Sequence, residues 1–233
     1  MNPRVISAAA LLCALTGLPS QAAQIDVQLA NLSHGNYFTP LLVAGHKNDI
    51  ALFHTGETAS AALQKMAEGG DIADLSAAVT GAGGAVLENP AGGLLAPGMT
   101  TELKSLDTGD NGYLSVVGMI LPTNDGFVGL DSWKIPTTAG TYTLYLNGYD
   151  AGTEANDEIV NGAGAPGMPG IPAAPGGAGG ENATGINDTS TNDKVHIHPG
   201  VLGDMDSTGG PSDLNSQVHR WLNPIAKLTV TVK

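Results

Sequence analysis

Apolar and polar residues alternate from Gln24 to Leu32, with Ile25, Val27 and Leu29 on one side. They alternate again near the C-terminus, where Leu228, Val230 and Val232 face one way and Lys227, Thr229 and Thr231 the other. A period of two is that of a half-buried strand, so both segments demand a sheet with one covered face. Further strands are expected at Tyr37 to Val43, where Pro40 argues for an edge or a bulge, and at Ile50 to Phe53. Thr100 to Leu106, Tyr113 to Leu121, Phe127 to Leu130 and Thr141 to Leu146 follow. Short strands at turn-marked spacing predict a mostly β fold, an antiparallel two-sheet β-sandwich rather than a parallel α/β sheet.

One region changes period. Ala59, Ala62, Leu63, Met66 and Ala67 recur at three and four within Thr58 to Glu68, the stripe of an amphipathic helix that Gly69-Gly70 closes. Asp71 can cap a second short helix through about Val79, stopped at Gly81, and Gly81 to Pro97 reads as loop. Residues 161–180 are an insert of another kind. Gly and Pro make up 12 of the 20 residues, with Pro166, Pro169, Pro172 and Pro175 at every third position. The composition predicts a flexible loop between sandwich elements, with some polyproline conformation and few side chains to bury.

Arg4, the apolar run Val5 to Leu15 and Pro19-Ser-Gln-Ala22 have the order of a secretory signal peptide, expected to span residues 1–22 and leave a mature domain of 23–233. The single cysteine, Cys13, lies inside that segment. An exported chain without disulfides must rest on its own core, and one β domain of this length suffices. Thiolate chemistry is excluded. No later segment offers about 20 uninterrupted apolar residues, so no transmembrane span is expected. Twenty-two acidic residues against nine basic ones, a net charge of −13, make nucleic acid an unsuitable partner, since phosphate recognition needs clustered Lys and Arg. Such a surface favours solubility and attracts cations.

Asp125, Asp131 and Asp150 lie in or beside turn-rich sequence flanking strands, at Asn124-Asp-Gly, Leu130-Asp-Ser and Tyr149-Asp-Ala-Gly. Asp is common in turns because its side chain bonds nearby backbone N–H groups. Three carboxylates at one end of a sheet pair would repel one another unless a cation neutralised them, and calcium takes six to eight such oxygens. A second candidate is Val195-His-Ile-His-Pro-Gly200, where an extended backbone puts His196 and His198 on one face, a spacing suited to zinc or copper. A two-histidine pair is a weak signal, and packing or turn chemistry explains it more readily than a metal. The two metals separate by pH: ordinary carboxylates stay charged at pH 6, so calcium binding should change little between pH 7.5 and 6, whereas an imidazole site should weaken. For catalysis there is no Gly-x-Ser-x-Gly elbow, no His-Glu-x-x-His and no phosphate-cradling glycine loop, which leaves only a Ser-His-Asp set assembled from distant segments.

Phe127-Val-Gly-Leu-Asp131-Ser and Tyr149-Asp-Ala-Gly-Thr153 resemble the two most recognisable motifs of the spondin N-terminal domain, known from extracellular-matrix spondins and secreted bacterial proteins. Phe53 to Glu57, Ala67 to Gly70, His198-Pro-Gly200 and Trp221 to Ala226 are similar to further segments of the bacterial members. The resemblance implies a β-sandwich similar to calcium-dependent lipid-binding modules, with aspartates of the matching motifs holding calcium at one loop end. It adds Glu154, which stands after Thr153 where the family often has aspartate. It also points to a bacterial source, in which the glycosylation acceptors at Asn182 and Asn187 are expected to be idle.

The first expectation is therefore a secreted, non-enzymatic β-sandwich that binds calcium through Asp125, Asp131, Asp150 and Glu154 and acts in adhesion or recognition toward an extracellular protein or glycan. An exported copper- or zinc-binding protein using His196 and His198 is the second, and a hydrolase the third.

Overall fold

A computed structural model of the chain describes residues 24–186 and 193–233. The expected signal peptide, Cys13 and Asn187 lie outside the described residues. The elements in chain order are β1 (Gln24–Asn31), β2 (Tyr37–Phe38), β3 (Leu42–His46), α1 (Ala61–Gly69), α2 (Ala73–Gly81), β4 (Ala85–Glu88), β5 (Lys104–Asp107), β6 (Tyr113–Leu121), β7 (Gly126–Lys134), β8 (Gly140–Asp150), β9 (His196–Ile197) and β10 (Ala226–Val232).

The strands form one antiparallel sheet in the order β4-β3-β6-β7-β8-β10-β1-β5, with β2 added beside β6 and β9 beside β8. Its two edges, β4 and β5, come back into contact, so the sheet is nearly closed into a barrel. The mostly β, antiparallel expectation holds; a second sheet, as a sandwich requires, is not confirmed. The difference lies in closure. Alternation says that one face of each strand is buried, but the partner that buries it can equally be a second sheet or the far wall of the same one.

The alternation read at both ends of the chain is realised in a single strand pair. Ile25, Val27 and Leu29 of β1 stand opposite Val232, Val230 and Leu228 of β10, all buried in the barrel core. Leu106, Leu114, Val116, Ile120, Val128 and Leu146 complete it from the other strands. A slip of one residue would move each apolar set to the water side, at a cost of about 1.5–3 kcal/mol per large side chain.

β6 is covered on both faces. Leu114, Val116 and Ile120 point to the barrel core, while Val117, Met119 and Leu121 pack outward with Leu63, Met66 and Ala67 of α1 and Leu75 and Val79 of α2. A register shift between Leu114 and Val116 puts an extra residue on the β7 side, so that Leu130 and Trp133 of β7 both pack against the barrel core. Both helices exist, the first where the three-four period placed it and the second between Asp71 and Gly81. Ser60 caps α1 by accepting the Leu63 N–H at 3.1 Å, Gly70 ends it in a left-handed conformation, and Asp71 accepts the Ala73 N–H at the start of α2.

Several strand expectations change: Tyr37 to Val43 is parted into β2 and β3 around Pro40, and Thr100 to Leu106 is strand only from Lys104. Ile50 to Phe53 is not a strand: Phe53 is buried against Phe127 and Tyr149, with ring centroids 5.0 Å away in each case. A Cβ at Gly129 would stand 2.7 Å from the Phe53 ring, so the Phe127-Val-Gly motif is in part a seat for this aromatic cluster. Conversely, the Gly81 to Pro97 stretch contains β4, paired to β3.

Segment 161–180 has no named strand, yet it is tied down. Ile171 is fully buried with Val201 and Leu214 in a small core of its own, and Val160 and Ile171 form a bridge that closes residues 161–170 into a compact loop. The expectation of few side chains to bury missed Ile171 and the glycine N–H groups, which carry the remaining contacts.

Candidate functional site

The pairing of Gly126 with Asp150 across β7 and β8 brings the turn before β7 against the end of β8. Asp125 and Asp150, far apart in sequence, become neighbours at this end of the sheet, and both are buried. Asp125 Oδ2 accepts three hydrogen bonds: the Thr153 N–H at 2.7 Å, the Glu154 N–H at 3.1 Å and the Thr153 hydroxyl at 3.2 Å. Its Oδ1 is buried and has no hydrogen-bond partner. Burial, and then the negative charge of Asp150, push the Asp125 carboxyl up to about 7 against the pull of those three donors. Asp150 is better provided. Its Oδ1 accepts the Gly152 N–H at 2.8 Å and its Oδ2 the Asn156 amide at 2.7 Å.

Glu154 joins the same group. Its Oε2 accepts the Gly170 N–H at 3.0 Å and the Asn124 amide at 3.4 Å, while Oε1 is buried without a hydrogen-bond partner. Burial, with Glu68 and Asp125 nearby, pushes this carboxyl up to about 7 as well. Asn124 is the hub that sequence reading passed over: it also donates to Asp157 Oδ1 at 2.8 Å and accepts the Glu158 N–H at 3.3 Å. No spacing rule marks Asn124 or Asn156, because their roles arise only when the loops after β6 and β8 meet.

Asp131 is not part of this group. It lies five residues into β7 from Gly126, about 17 Å along the strand, and its Oδ2 is 2.8 Å from His54 Nδ1. The expected three-aspartate end is thus two aspartates and a glutamate. Asp131 was read as turn sequence, but its segment continues as strand through Lys134, with Ser132 taking a left-handed conformation of φ 48°.

His196 and His198 flank the exposed Ile197. Their partners differ. His196 Nδ1 is 2.8 Å from the Lys194 carbonyl and its Nε2 is 3.7 Å from Asp150 Oδ2. The His198 ring packs on Trp221 at 5.2 Å and its Nδ1 accepts the Gly200 N–H at 2.9 Å. Among the described residues, no group of three or more His, Cys, Asp or Glu side chains is arranged ready to hold a metal ion. For a hydrolase, the relevant contact is His46 Nε2 to Ser115 Oγ at 2.8 Å; both residues are fully buried, and His46 Nδ1 meets the Lys47 carbonyl instead of a carboxylate.

A second acidic set lies just beyond. Glu158 Oε1 accepts the Leu202 N–H at 2.7 Å, and its Oε2 accepts the Gly203 N–H at 2.8 Å and the Ser212 hydroxyl at 2.5 Å. Asp213 holds the Val160 and Ala183 N–H groups. These two buried acids, which sequence reading did not single out, tie the 158–160 turn to the 200–214 loops.

No curated protein matches the chain. The Spondin_N family model does, over residues 30–159. The matched span runs from the end of β1 through β8 and the Asp150 to Glu154 turn, so it contains both recognition motifs and all three members of the acidic group. Matched over more than half of its length, the chain belongs to the Spondin_N family.

Proposed function

We propose that the protein is an exported recognition or adhesion module whose carboxylate end, Asp125 with Asp150 and Glu154, takes up calcium. The observation that carries this reading is the state of Asp125: a buried carboxylate with one oxygen unbonded, placed beside a second buried carboxylate. Such a pair needs a proton or a cation. The donor set fits a hard cation, since Asp125 Oδ1 and Glu154 Oε1 are unengaged carboxylate oxygens and the Thr153 hydroxyl lies beside Asp125. Asp125, Asp150 and Glu154 would hold the ion, with water and carbonyl oxygens filling its shell. Bound there, calcium supplies the positive charge that the group lacks and braces the turn before β7 against the end of β8.

Export is supported by the family, whose domain is typical of secreted proteins, and by the signal-like N-terminus. No helix of the described residues is long and apolar enough to cross a membrane. Spondin_N is a non-enzymatic domain family, which supports a binding role over a hydrolase. An exterior protein or glycan is the partner class proposed. A copper or zinc site is the second reading, and the approach of His196 Nε2 to Asp150 favours placing it on that pair in preference to His198.

Melting curves in chelator and in millimolar calcium test the first reading. An ion bound only by the folded form stabilises it by about 2.7 kcal/mol at a hundredfold excess over Kd. The rise should disappear in Asp125→Asn and in Asp150→Asn. Identical curves with and without calcium would refute it, and a rise with copper that requires His196 would establish the second reading in its place.

A further inference from the structure

We infer that the compact loop of residues 161–170 is a cover that positions Glu154 for the cation, so that loop closure and ion binding are linked; this rests on the calcium reading above.

The loop is built to hold one shape. Ile171 donates its N–H to the Ile159 carbonyl, and the N–H groups of Asn161 and Gly162 return to the Ile171 carbonyl. Asn161 stitches the interior, accepting the Ala163 N–H at 3.0 Å and donating to the Pro169 carbonyl at 2.9 Å. Buried Ile171 anchors the base. From that base the loop reaches two carboxylates, one on each side: the Gly167 N–H donates to Glu68 Oε2 at 2.7 Å, and the Gly170 N–H donates to Glu154 Oε2 at 3.0 Å. Glu68 is fully buried near the end of α1 and is held from within the helix by Gln64 at 2.8 Å. One loop therefore clamps a fixed acid on the helix and, three residues on, the acid that borders Asp125. Only one oxygen of Glu154 is taken by Gly170, and the other is left unbonded and shielded from water. A ligand held in place before the ion arrives loses less freedom on binding, which raises affinity.

Two glycines make the cover separable from the carboxylates. A Cβ at Gly69, the last residue of α1, would stand 2.2 Å from the Gly164 carbonyl oxygen, so Gly69→Ala pushes the loop off the helix. A Cβ at Gly170, whose φ is 123°, would stand 2.2 Å from the Asn161 side-chain amide, so Gly170→Ala breaks the stitch. Neither change removes an acid.

Calcium titration calorimetry on the full chain, as wild type, Gly69→Ala, Gly170→Ala and Glu154→Gln, tests the linkage together with hydrogen exchange of the wild-type Gly167 and Gly170 amides. Calcium should slow exchange at both amides by about tenfold or more, and each glycine variant should bind calcium about tenfold more weakly. Equal calcium affinity in wild type and both glycine variants overturns the cover and leaves the calcium reading standing. Calcium bound with no change in exchange at Gly167 and Gly170 overturns it from the wild type alone, whether or not the variants fold. If wild type takes up no calcium, the cation reading falls and the linkage falls with it.

Discussion

Asp125 and Glu158 are both buried acids in loops at the same end of the sheet, and Asn124 touches the backbone of one and precedes the other. Glu158 has a donor on each oxygen, two backbone N–H groups and a hydroxyl. Asp125 has three donors crowded on one oxygen and none on the other. A fully bonded carboxylate is a structural clamp, whose negative charge is spread over the donors that it organises. A half-bonded one beside a second carboxylate is an unfinished site. Burial alone does not tell the two apart; the accounting of each oxygen does.

The largest expected effect lies on the clamp. Glu158→Ala leaves the Leu202 and Gly203 N–H groups without their acceptor and should cost about 3 kcal/mol, measured by denaturant unfolding. Asp125→Asn in chelator at pH 8 should cost far less than Glu158→Ala or even stabilise, because a neutral amide removes the repulsion from Asp150. If the two substitutions cost the same, the distinction between clamp and site fails.

A middle effect is that of pH. Asp125 and Glu154 are both raised to about 7, above the ordinary 3.9 and 4.3 of unfolded Asp and Glu. The folded form then holds protons more tightly than the unfolded form between those limits. Their contribution is present at low pH and is lost as pH rises through about 7. In chelator, a melting series from pH 5 to 8 should show this loss flattened in an Asp125→Asn/Glu154→Gln double variant. With carboxyls raised in this way, protons compete with calcium between pH 7.5 and 6, so affinity is expected to fall toward pH 6, where ordinary carboxylates would keep it level.

The smallest effect belongs to the pair that left the group. His54 and Asp131 meet at 2.8 Å, and the hydrogen bond that the His54 ring donates to the Asp131 carboxylate is the main cause of the raised imidazole pKa of His54. The pair is partly exposed, so His54→Ala should cost under about 1 kcal/mol. A raised histidine stabilises below its unfolded pKa of about 6.5 and loses that contribution as pH climbs through its folded value. The difference from wild type should therefore shrink in alkaline buffer, the same direction as the carboxyl effect and of lesser size. Histidine NMR titration reads it directly.

The strands were legible wherever one face met water. β1, β10 and much of β8 show the period of two, and β6 was read to its residues as a mostly apolar, valine- and isoleucine-bearing segment bounded by the turn residues Asp110-Asn-Gly and Pro122-Thr-Asn-Asp-Gly. Closure was not legible, because it depends on β4 and β5 meeting, and β4 is four residues hidden in a glycine-rich stretch. In the site, Asp125, Asp150 and Glu154 were legible as turn acids and by family likeness. Asp131 misled because Leu-Asp-Ser reads as a turn, whereas the chain continues as strand. Glu158, Asp213 and the loop contacts were invisible, since their partners are backbone N–H groups that leave no mark on side-chain patterns.

The meeting of β4 and β5 has a consequence for how the molecule behaves in company. Exposed strand edges are templates on which other chains add and aggregate. Here each edge is four residues long and lies against the other, with Glu88 and Lys104 among their residues. The connection between them, residues 89–103, is itself fastened to the body, by bridges of Leu95 with Phe38 and Thr100 with Ala30 and by hydrogen bonds from the Asn31 N–H to the Met99 carbonyl and from the Thr101 N–H to the Leu29 carbonyl. A nick or loosening in that one connection would turn a self-covered surface into two adhesive borders. Intermolecular stickiness is thus held in check where the two ends of the strand order meet, in a part of the chain that carries none of the acids of the Asp125 group.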